Sequence, residues 1–99
     1  MKITVPHHTT REEARKIVER RVGELVAQYG HYASESQVTW SGDRLDFSGK
    51  ARGLSASGMI EVTDTEVIID GKLPLIAKPF EPRIKSAVER EAAAMFGRA

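Results

Sequence analysis

The sequence contains no cysteine. That excludes a disulfide framework, a thiolate nucleophile and any zinc site built on sulfur. Net charge is almost lacking as well: 15 Lys and Arg stand against 14 Asp and Glu, for a formal +1. A chain so balanced has no strong field to draw in DNA, RNA or an anionic membrane. Apolar runs such as Val67-Ile68-Ile69 and Leu75-Ile76-Ala77 are short, whereas a membrane-spanning helix needs about 20 apolar residues. The first residues, Met1-Lys2-Ile3-Thr4-Val5-Pro6, have no apolar stretch of the secretory kind, so a cytoplasmic location is expected. The 99 residues suit one domain, 1–99. A core of that size is expected to leave little spare volume for a deep cleft.

What is present is patterning. Ile3 and Val5 alternate with Lys2 and Thr4, and Pro6 ends the strand they predict. Thr10 followed by Glu13 is a capping box. Behind it Ala14, Ile17, Val18, Val22, Leu25, Val26 and Tyr29 recur at helical spacing, and Gly30 stands where a left-handed residue would stop the helix. From residue 37 the period changes to two. Val38 and Trp40, then Leu45 and Phe47, then Leu54, Ala56, Gly58, Ile60 and Val62, then Val67, Ile69, Gly71 and Leu73 form four apolar rows separated by turns at Ser41-Gly42-Asp43 and Asp64-Thr65. Strands joined so tightly are antiparallel, and rows apolar on one side predict a sheet covered on one face. A closing helix from Pro79 to Phe96 carries Phe80, Ile84, Val88, Ala92, Met95 and Phe96 on one stripe, with Gly97 as its cap. The expectation is an α+β two-layer domain, β-α-β-β-β-β-α, with both helices on one face of a four- or five-stranded sheet.

Residues able to do chemistry are scattered. His7 and His8 are adjacent, so on extended chain they point to opposite faces, and His31 is not at helical metal-pair spacing from either. No serine lies in a Gly-x-Ser-x-Gly elbow, and Ser55 and Ser57 read as the wet side of a strand. The glycines form no phosphate loop. Basic residues on the two helices interleave with glutamates, the pattern of a solvated face, and the aromatic residues fall mostly on core stripes. No cofactor, metal or nucleic acid is therefore expected. Met59 and Ile68 interrupt the polar face of the sheet, where neighbouring apolar side chains can seed a contact.

The order of several elements resembles the family of polyhydroxyalkanoic acid system proteins, also called polyhydroxyalkanoate granule-region proteins. These elements are Pro6-His7 before a helix with Glu13-Ala14-Arg15; Trp40-x-Gly42-Asp43-x-Leu45-x-Phe47; Gly58-x-Ile60-x-Val62-x-Asp64; and Leu75 to Ile84 with Lys78-Pro79-Phe80 and Arg83-Ile84. The resemblance implies a bacterial, cytoplasmic protein connected with storage of a polyester as granules, and it brings no catalytic residues. The expected function is a non-enzymatic accessory protein that binds granule, polymer or a granule-associated partner protein. The alternative is a small carrier holding an acyl chain between sheet and helices, and an apolar cavity of several hundred Å3 would favour it. The candidate binding residues are His7, Met59 and Ile68. Oligomeric state and the place of the first strand stay open.

Overall fold

The computed structural model describes residues 1–96. Five strands, β1 (Lys2–Pro6), β2 (Glu35–Ser41), β3 (Arg44–Ala51), β4 (Leu54–Val62) and β5 (Glu66–Lys72), form one sheet in the order β1-β5-β4-β3-β2, with every neighbouring pair antiparallel. Two helices, α1 (Arg11–Tyr29) and α2 (Glu81–Phe96), complete the α+β arrangement. The first strand takes the edge beside β5, and α1 therefore has to cross from one margin of the sheet to the other. At about 1.5 Å per residue a helix of 19 residues spans roughly 28 Å, enough to bridge five strands.

Local chemistry explains the elements. Thr10 caps α1, its Oγ1 accepting from the Glu13 amide at 3.1 Å. Gly42, at φ 62°, opens the β2–β3 turn, and Arg52 and Gly53, both at positive φ, form the β3–β4 turn. Thr63 Oγ1 accepts from the amides of Thr65 and Glu66 and shapes the turn into β5. Two expectations at helix ends are corrected. Gly30 adopts φ −59° and not a left-handed conformation, so the chain tightens into a 3-10 turn over Gly30–Tyr32 instead of stopping. The segment Leu75–Phe80 is likewise a 3-10 turn that precedes α2, because Pro79 lacks the amide an α-helix would need there. Pro82 falls in the first turn of α2, where that loss costs nothing. The expected cap Gly97 lies outside the described residues.

The register shows how the core is built. One apolar row crosses all five strands: Ile3 faces Ile69, Ile69 faces Ile60, Ile60 faces Leu45, and Leu45 faces Trp40. Beside it Val5, Val67 and Val62 form a second row. Ala14, Val18 and Ala92 press the helices onto these rows, and Ile3, Val62, Val67 and Leu45 are buried beneath. The next rows are different. Gly71 faces Gly58, Gly58 faces Phe47, and Gly49 faces Ala56, so apart from the Phe47 ring the sheet there presents little side-chain volume to the helices.

Candidate functional site

The two ends of the molecule are built unlike each other. At the first, α1 begins over the turns that follow β2 and β4. Arg11 pairs with Asp43 at 3.3 Å and with Asp64 at 2.9 Å, while Arg15 donates to the Gly42 carbonyl and lies 4.1 Å above the Trp40 ring. His7 is buried there at 2% exposure. Its Nε2 lies 2.8 Å from the Thr63 carbonyl, and its Nδ1 accepts from the Thr9 amide at 3.2 Å. Those two bonds define a neutral ring with its proton on Nε2. His7 thus ties the exit of β1 to the β4–β5 turn, 56 residues away in the chain.

At the second end the glycine and alanine rows leave an open space. A cavity of about 400 Å3, lined almost entirely by apolar atoms, lies between the sheet and the helices. Phe47, Ala56 and Gly71 form its floor, and Leu25 of α1 with Ile84 and Ala87 of α2 form its roof. Arg21 and Glu91 also border it, joined across the helix seam at 2.8 Å. The hydrogen bond from Arg21 holds the Glu91 carboxyl below its ordinary value of 4.5. So small a domain was expected to leave little spare volume, and this apolar space of about 400 Å3 is larger than that expectation allowed. The signal was in the sequence as volume, not polarity: Ala56 and Gly71 continue the apolar rows but fill little of the space beside them.

The rim of this end is apolar too. Leu54 follows the β3–β4 turn, Val26 and Tyr29 close α1, Tyr32 stands in the 3-10 turn, and Leu75, Ile76 and Phe80 follow β5; all are exposed. Leu75 at 84%, Ile76 at 67% and Phe80 at 57% are the most prominent. Tyr29 and Phe80, expected on core stripes, are corrected to the surface, because α1 runs past the packed part of the sheet and the 3-10 turn directs Phe80 away from α2's buried side. His31 and Tyr32 stack at 4.1 Å beside them.

Met59 and Ile68 lie on the opposite, outward face of the sheet. Met59 faces Asp70 and Ile68 faces Glu61, which makes the two apolar residues diagonal neighbours, both half-buried. Met59 borders a shallow concavity of about 560 Å3 that is mainly polar, with Gln37, Thr39, Arg44 and Asp46 around it. The fold thus brings Met59 and Ile68 together and leaves His7 apart from them. Among the described residues no three His, Asp or Glu side chains gather to suit a metal ion, and no helix is long and apolar enough to cross a membrane.

No curated protein and no solved structure matches the chain. A family does: the one described as "Putative polyhydroxyalkanoic acid system protein" matches residues 1–96, nearly the whole sequence. The chain with the glycine-floored cavity and the apolar rim belongs to that family, and its connection is with polyhydroxyalkanoate systems.

Proposed function

We propose that this is a non-enzymatic binding protein of polyhydroxyalkanoate metabolism that holds the polyester granule by its apolar end. The observation that carries the reading is the exposure of Leu75, Ile76 and Phe80 on one short 3-10 turn. Removing a side chain of this size from water is worth about 1.5–3 kcal/mol, so three together supply a useful grip on a hydrocarbon-rich surface. Lys78, exposed on the same turn, keeps its ammonium in water while its stem lies along the contact. A polyester offers methylene groups and ester carbonyls and carries no charge along its length, which suits an apolar surface without a basic patch. Arg11 and Arg21 join elements of the fold through their carboxylate partners, and Arg44 pairs with Asp46 along its own strand, so these charges are accounted for without chemistry. The test is co-sedimentation of the protein with purified granules in excess competitor protein. Retention in the granule fraction is expected. Recovery wholly in the supernatant, with no partner captured from polymer-accumulating cells, counts against the reading.

The cavity supports a second reading, a carrier for one acyl chain. Its 400 Å3 falls within the range of about 300–1,000 Å3 used by small-molecule sites. Titration with a fluorescent acyl probe, displaced by a medium-chain hydroxy fatty acid, tests it. A probe that stays dark at saturating protein removes the carrier from consideration.

A further inference from the structure

The two margins of the sheet differ in a way that points to self-association. β1 is short and carries Lys2 and Pro6, both of which discourage another strand from adding alongside. β2 runs seven residues, Glu35-Ser36-Gln37-Val38-Thr39-Trp40-Ser41, with no proline, glycine or lysine, and all but Trp40 are exposed.

The hydrogen-bond parity of the sheet tells which backbone groups of β2 face outward. The Val62 amide bonds the Asp43 carbonyl, and these residues stand opposite each other one step beyond Arg44 and Glu61, the pair that ends the β3–β4 register. In an antiparallel ladder bonded and non-bonded pairs alternate, so odd-numbered residues of β3 bond β4 and even-numbered ones bond β2. Their partners in β2 are Glu35, Gln37, Thr39 and Ser41. The amides and carbonyls of Ser36, Val38 and Trp40 therefore point away from the sheet.

We propose that two copies of the chain pair antiparallel through β2, across a two-fold axis at Val38, into one continuous sheet. Val38 is the middle residue of the strand, so this register uses its whole length. It sets the bonding groups of Val38 against those of the second Val38, and those of Ser36 against those of Trp40. The side-chain neighbours suit it. Glu35 faces Ser41 and Gln37 faces Thr39, so no like charges meet, and small Ser36 leaves space beside the indole of Trp40. Val38, 42% exposed on the inner face, gains an apolar neighbour in its own copy.

Sedimentation of the full chain over a concentration series tests the pairing, with thermal melts to confirm folding of each variant. A reversible dimer is expected. Val38→Lys sets two ammonium groups face to face and should raise the dissociation constant about tenfold or more. Ser41→Glu, which opposes Glu35, should also weaken the dimer, whereas Ser41→Lys should tighten it, and this opposite response reads out the register. A chain that stays monomeric at every concentration, or a dimer indifferent to all three substitutions, overturns the proposal.

Discussion

The ring of Phe47 occupies the place where a side chain on Gly58 would stand. The two residues face one another across β3 and β4, and a Cβ built on Gly58 would come within 2.8 Å of Phe47 Cζ and 2.6 Å of the Asp70 carbonyl oxygen. The second contact is with backbone and has no easy relief. Gly58→Ala should therefore lower stability by about 1–3 kcal/mol, the usual cost of overpacking. At Gly49 the nearest atom to such a Cβ is 3.7 Å away, so Gly49→Ala should be close to neutral. Urea unfolding of both variants checks the contrast.

His7→Ala removes the partner of the Thr63 carbonyl and of the Thr9 amide at once. The expected loss is about 1–3 kcal/mol, the cost of leaving such groups unsatisfied. His7→Asn, able to restore one of the two bonds, should recover part of it. Retention on granules should not change while the variant is folded, because the exposed 3-10 turn lies at the other end.

The Arg21–Glu91 pair gives stability a pH dependence of known sign. The folded-state value of Glu91 is depressed below 4.5, chiefly by the hydrogen bond from Arg21. Its contribution is present above 4.5 and is lost as pH falls through the lower folded value. The melting temperature of Glu91→Gln should thus fall less steeply over that acid range than that of the parent chain. Both side chains are partly exposed, so solvent screening keeps the difference small.

Leu75→Asp with Ile76→Asp should abolish retention on granules and leave the thermal midpoint nearly unchanged, since both side chains already face solvent. Unaltered retention would assign the grip to another surface.

Ala87→Leu should extend a branched side chain into the cavity that Ala87 now borders. Filling such space commonly stabilises by about 0.5–2 kcal/mol. The same change should weaken acyl-probe binding about tenfold and spare granule retention, which separates the carrier reading from the granule reading.

Periodicity made the layers legible: the alternation from Val38 onward and the stripe behind Thr10 mark elements that the fold contains. The edge position of β1 was not readable, because pairing partners far apart in sequence leave no local trace. Gly30 misled for a related reason. Glycine permits a left-handed stop without requiring one, and the 3-10 turn into β2 decided the matter. The cavity stood in the sequence only as the alternative reading, because an apolar pattern records which face is dry and says nothing about how full it is. Phe80 read as part of the closing helix's apolar stripe, whereas the 3-10 turn that holds Pro79 leaves it exposed beside Leu75 and Ile76.

The unequal margins of the sheet also limit how far assembly can go. A strand partner recruited along β2 uses up the only inviting border on each molecule, and the border left outside is the one carrying Lys2 and Pro6. Growth then terminates at a pair, with no route to a filament. Two molecules joined in that way would share one sheet with their helices on the same side, and so present two apolar ends from a single rigid platform.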